Sequence, residues 1–274
     1  MFTSRRRVKQ FAGVAVGAAA IALGLPAAAV ATTPSAYTCT GGSIPSGTYL
    51  SVTVTGYCAV DDGPVTVNRN LVVGTNAELD ATYAGSNLHV LGNLTAGPGS
   101  IVLLGCEPVA FDCSNRESSV IKPQDGIGAT DHVINGSVIS TSALMFIAHH
   151  NIVGVDVSQS GGGGGVTCNL FPFGENGPPA YSTWEDNTIG RDASVTGVNT
   201  CWNGFIRNDV GRNGNYSRNN TADPDGNEVT DNSFGRNLTC LSNNPAAQIG
   251  DGGGGPNTVL GLNIGECPAF IVKD

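Results

Sequence analysis

The pattern Asn-x-apolar-Gly-Arg occurs three times, as Asn187 to Arg191, Asn208 to Arg212 and Asn232 to Arg236, and a reduced copy follows at Asn257 to Gly261. Successive asparagines are 21, 24 and 25 residues apart, the contour of one coil of a solenoid whose short strands stack on those of the next coil. Nearer the amino end, a shift of 23 residues lays Val67, Asn70, Leu71, Gly74 and Leu79 over Val90, Asn93, Leu94, Gly97 and Val102. Apolar and small residues alternate within each copy, which is the two-residue period of a strand. Both copies run in the same sense, so a parallel stack explains them better than a hairpin.

Composition excludes the main rival. Only 13% of residues are charged, against about 25% in an ordinary globular domain. Lys122 and Lys273 are the two lysines after the first 31 residues, so the wet faces of long amphipathic helices cannot be built. Asparagine fills that place, with fifteen between Asn187 and Asn263, suited to tight turns because the side chain bonds nearby backbone. The expectation is an all-β parallel β-helix of eight to ten coils, each of 21–25 residues, over residues 32–274.

Residues 1–31 stand apart. Arg5, Arg6, Arg7 and Lys9 precede the apolar stretch Phe11 to Leu25, and Ala29-Val30-Ala31 supplies small residues for cleavage, the layout of a secretory signal peptide. That leader carries four of the thirteen basic residues and none of the twenty-two acidic ones, so the formal charge of −9 becomes −13 without it. Such a surface is a poor partner for nucleic acid or anionic membrane. No later apolar segment reaches spanning length, and the expected location is extracellular or envelope-associated.

All eight cysteines follow the leader, at Cys39, Cys58, Cys106, Cys113, Cys168, Cys201, Cys240 and Cys267. An even count in an exported chain reads as four disulfides. Sequence alone does not fix the connectivity, but coil register brings Cys240 near Cys267, and the expected pairs are 39 with 58, 106 with 113, 168 with 201 and 240 with 267. Zinc spacings of the C-x₂-C kind are absent. Two segments break the period, near 106–124 and 161–184, and are expected to leave the stack as loops, where binding sites tend to sit. The ends need covering; the loop closed by Cys39 and Cys58 suits the first, Cys267 with Pro268 to Val272 the second.

Repeat positions stack one coil apart, at about 4.8 Å in strand geometry. Asn187, Asn208, Asn232 and Asn257 would form an amide ladder, with Ile189, Val210, Phe234 and Val259 as an apolar column. Asp186, Arg207 and Asp231 would alternate in charge. Arg191, Arg212 and Arg236 would repel unless splayed or paired, and are candidates for gripping an anionic ligand such as an acidic sugar. Trp184 and Trp202 are candidates for stacking on sugar rings.

The opening Cys39-Thr40-Gly41-Gly42, the glycine-rich middle, Trp184-Glu185-Asp186-Asn187-Thr188-Ile189-Gly190 and Thr200-Cys201-Trp202 resemble an uncharacterised group of small secreted bacterial proteins read as right-handed parallel β-helices. The resemblance spans the chain after the leader and carries no activity with it. At the level of fold it implies similarity to pectate lyases and polygalacturonases, an analogy that does not assign function.

An enzymatic reading would use the acidic cluster Asp223, Asp225, Glu228 and Asp231, since glycoside hydrolysis needs two carboxyls about 5–9.5 Å apart. Yet a paired Asp-Asp in the central coils and a downstream Gly-His-Gly are absent, so no catalytic residue is assigned outright. Asp223, Asp225 and Glu228 also make a compact set of hard oxygens that could hold calcium; no other cofactor is implied. His149-His150 point to opposite faces of a strand and are expected in a turn or at solvent. Gly161 to Gly165 lack the Gly-Lys-Ser/Thr ending of a phosphate loop, and no G-x-S-x-G serine motif occurs. The sequence therefore points to a non-catalytic envelope or extracellular protein with a structural, glycan-binding or protein-binding role. A polysaccharide-acting enzyme at 223–231 is the alternative.

Overall fold

Successive coils deliver short strands to three parallel sheets, one to each sheet per coil except in the last two coils, which add none to the second. The computed structural model describes residues 33–83, 85–106, 113–114, 120–121, 132–251 and 253–271, with backbone alone at 113–114, 120–121 and 271. The first sheet has ten strands, from Ala36–Cys39 to Asn263–Gly265, and the third has ten, from Gly47–Tyr49 to Ala269–Ile271. Eight strands make the second, from Gly42–Ser43 to Glu228–Thr230. Every pairing within these sheets among the described residues is parallel, and no helix occurs among them. The parallel β-helix is thus established. The leader 1–31 and most of the 106–124 insertion lie outside the described residues.

Register follows the repeat read from the sequence. Val67 faces Val90, Leu71 faces Leu94 and Leu79 faces Val102. Alternate residues point inward and fill a single apolar column through the stack, including Leu71, Leu79, Leu88, Leu94, Trp184, Ile189, Phe234 and Val259. Each such aliphatic side chain contributes about 1.5–3 kcal/mol when withdrawn from water.

Two columns of polar side chains tie the coils together at the turns. Between the second and third sheets, Asn151, Asn187, Asn208, Asn232 and Asn257 are all at most 2% exposed. Each Nδ2 donates to the Oδ1 of the next, at 2.9, 2.9, 3.0 and 2.8 Å, and the last donates to the Pro268 carbonyl at 2.6 Å. Every receiving Oδ1 also accepts the backbone amide of the asparagine before it. The residues just ahead of the first four, His150, Asp186, Arg207 and Asp231, have φ of 53–57°. Such left-handed turns are unfavourable for side chains other than glycine, and the ladder holds them in place.

Between the third and first sheets runs a second, half-exposed column of Asn70, Asn93, Ser137, Asp156, Asp192, Asn213 and Asn237. Here the side-chain oxygen of each accepts the amide of the next coil. The glycine of the repeat lies beside this turn. A Cβ at Gly190, Gly211 or Gly235 would collide with the carbonyl oxygen of Gly154, Gly190 or Gly211 respectively, so only glycine allows the coils to approach.

Disulfides join Cys39 to Cys58, Cys168 to Cys201 and Cys240 to Cys267, with Cα separations of 6.3, 4.5 and 5.3 Å. Cys106 is also bonded, but the side chain of Cys113 lies outside the described residues. At the second end Cys267 is bonded to Cys240, and the tail adds Ala269–Ile271 to the third sheet beside Asn257–Val259; Val272 lies outside the described residues.

Candidate functional site

The expected surface loop at 161–184 folds back onto the outer face of the second sheet. Gly161 to Gly165 take φ values of 65–101°, a run of left-handed turns that glycine alone permits at low cost. Beyond them the loop is pinned by Cys168 to Cys201, and Leu170, Ala180 and Tyr181 pack on Ile101, Leu103, Leu144, Met145 and Ile147. This satellite core ends near Trp202, which meets Tyr181 edge-on at 6.1 Å. The next coils open into a polar cleft of about 230 Å³, lined by Ile206, Arg207, Glu228, Thr230, Asp231, Gly253 and Gly254.

Register builds this cleft. Along the second sheet, Thr183, Gly204 and Glu228 are aligned, as are His149, Glu185, Ile206 and Thr230, and both rows face away from the core. Between them, Ala148, Trp184, Phe205 and Val229 face inward. Trp184 is therefore corrected from ligand candidate to core residue: it is 1% exposed, stacks on Phe146 at 4.7 Å and donates Nε1–H to Gln159 Oε1 at 2.8 Å. Trp202 is half-buried and donates Nε1–H at 3.2 Å to Oε1 of Glu228, which lines the cleft.

Arg207 is the cation of the site. It forks onto Asp186 with two bonds of 2.7 Å and reaches Glu185 Oε2 at 3.0 Å; these carboxylates raise its already high pKa. Thr183 donates to the other Glu185 oxygen at 2.8 Å. His149, only 2% exposed, lies 3.9 Å from Glu185, so it is neither a turn residue nor at solvent. Burial lowers its pKa against the pull of Glu185 and Asp186. Among the described residues, His149, Glu185 and Asp186 alone bring three potential metal-ligating groups within 4.8 Å, and Arg207 already occupies both carboxylates.

The acidic stretch divides. Asp223 accepts the Asp225 amide at 3.0 Å within a turn that Gln248 clasps through the carbonyls of Pro224 and Gly226, and Asp225 is exposed. Glu228 is 4% exposed. Burial raises its pKa most; Trp202 opposes this, and Asp251, Asp225 and Glu185 reinforce it. Asp231 accepts the Gly255 amide at 2.9 Å. Asp223, Asp225 and Glu228 do not converge into a three-ligand group, so the calcium candidate is not preassembled.

The repeat arginines sit elsewhere. Arg191 approaches Asp156 and Arg212 approaches Asp192, each at 3.8 Å, while the neutral Asn213 follows those aspartates in the column below Arg236. The charges of Arg191 and Arg212 are balanced across coils, and none of the three arginines lines the cleft. Arg207, read only as part of a charge column, is the arginine the cleft uses. Its spacing of 21 residues from Asp186 was the available signal. Comparison with protein-family models, curated proteins and solved structures finds no match to this chain.

Proposed function

We propose that this chain is an exported β-helix of the cell exterior or envelope that binds a glycan without turning it over, and that the polar cleft at Arg207, Glu228, Thr230 and Asp231 is the binding site. The observation that carries this reading is the fixed array of donors and acceptors beside a half-buried indole. Sugar recognition uses such groups held in advance by protein partners, with an aromatic edge for the apolar ring face. Three disulfides accord with export.

The buried Glu228 carboxyl with its raised pKa favours a second reading, in which it donates a proton to a glycosidic oxygen and Asp231 serves as its partner. A panel of acidic and neutral polysaccharides, with and without calcium, separates the two when retention and chain cleavage are both followed. Retention without cleavage, weakened at least tenfold by Trp202→Ala, is expected. Cleavage abolished by Glu228→Gln would replace binding with catalysis, and failure to retain any glycan would remove the cleft's assigned role. Dependence on calcium that disappears in Asp225→Asn would assign the cation to 223–228.

A further inference from the structure

Within the polar cleft the donors are engaged and the acceptors are open. Thr230 gives its hydroxyl to the Gly255 carbonyl at 2.7 Å, and Arg207 gives Nε and Nη2 to Asp186 and Glu185. Glu228 has one carboxylate oxygen on the Trp202 indole, and Asp231 has one on the Gly255 amide. The second oxygen of each has no hydrogen-bond partner among the described residues. Glu228 lines the cleft while only 4% exposed. Glycines wall it in: a Cβ at Gly250, where φ is 74°, would strike the Glu228 carboxyl, and one at Gly254 would strike Thr230 and Asp231. Glycine alone lets the chain pass so close.

No side-chain cation pairs with these oxygens. Arg207 is held by Glu185 and Asp186, and Glu228 forms no ion pair among the described residues. Its neighbours Asp251, Asp225 and Glu185 add charge of its own sign. A buried carboxylate without a counter-charge is costly, so a ligand that supplies one gains more here than a neutral ligand does. An ammonium group carries hydrogen-bond donors and no acceptor, which complements the open oxygens. A uronic acid would bring acceptors and charge of the wrong sign. We propose that the cleft takes an amino sugar with a free amine, its ammonium held by Glu228 with Asp231 beside it in the same cleft. This inference rests on the glycan-binding reading and narrows it.

Calorimetric titration of the full-length protein, disulfides intact, tests it with three oligosaccharides of equal length: β-1,4-linked glucosamine, its fully N-acetylated twin and an oligogalacturonate. The glucosamine oligomer should bind about tenfold tighter than its twin, with the oligogalacturonate weakest. That ratio should narrow in high salt, which screens ion pairing. Glu228→Gln should bring the ratio close to one. Asp231→Asn, at an exposed carboxylate, should lower it without disturbing a buried group. Asp209→Asn removes the same charge from an exposed position on the third sheet and should leave the ratio intact, which separates the cleft from the net charge of the whole chain. Equal binding of the free and acetylated oligomers, a preference for the uronate, or a ratio that falls equally in Asp209→Asn would overturn the amino-sugar assignment and leave the glycan site standing. Binding of none of the three would overturn both.

Discussion

The ladder of Asn151, Asn187, Asn208, Asn232 and Asn257 holds one residue type at five coils, whereas the half-exposed column from Asn70 to Asn237 changes among Asn, Ser and Asp. Both tie one coil to the next at a turn. From Asn187 to Asn257 each side chain must donate and accept at once, because its oxygen takes an amide and a carboxamide while its nitrogen serves the following oxygen. A carboxylate cannot donate, and a hydroxyl is too short to span a coil. In the half-exposed column only an acceptor is needed, and water serves the remaining valences. Burial, more than position in the repeat, decides how strictly the residue is fixed.

The substitution Asn208→Asp is the sharpest way to break this contrast. The new carboxylate would face Asn232 Oδ1 without water, and the loss should be about 3 kcal/mol or more in urea unfolding at neutral pH. Since burial would raise the folded pKa of the introduced carboxyl above its unfolded value, the variant should be least impaired below the ordinary carboxylate range and worsen as pH rises through that raised pKa. The matched change Asn93→Asp should cost about 0.5 kcal/mol or less; equal losses at the two sites would refute the distinction. Next in size, Gly211→Ala should cost about 1–3 kcal/mol, by forcing a methyl against the Gly190 carbonyl.

The smallest effect concerns Asp192. Burial raises its pKa, but the Asn213 amide and carboxamide, then Arg212 and Arg191, more than offset this and leave it below the usual value. Its stabilisation is therefore present above the unfolded pKa and fades as pH falls through the lowered folded one. Asp192→Asn should flatten that acid limb and change little at neutral pH; an unaltered limb would show that the column does not depend on charge there.

Legibility in the sequence followed the same divide. The coil length, the asparagine ladder, the column Ile189, Val210, Phe234 and Val259, and the Cys240–Cys267 disulfide were readable because equivalent residues recur one coil later. Trp184 and Trp202 were not separable in the same way. The first lies on a strand whose parity turns it inward, and the second lies in the turn before Asn203, so their roles depend on a boundary that the period does not mark. Burial of His149 beside Glu185 is set by the register of two coils, which the strand alternation around it does not mark. The partners of Arg191 and Arg212 are 35 and 20 residues earlier, beyond the reach of a search for neighbours along the chain.

The ladder also gives the molecule a mechanical grain. Four side-chain bonds and the terminal bond to Pro268 point the same way along the axis, and hydrogen bonds in series polarise and strengthen one another. Coils that would otherwise peel off one at a time, as nearest-neighbour repeats do, are strung on a common thread from Asn151 to the last turn. Under tension applied at the two ends, the coils before Asn151 should yield individually and those after it together, so the protein would behave as a compliant leader spliced to a stiff rod.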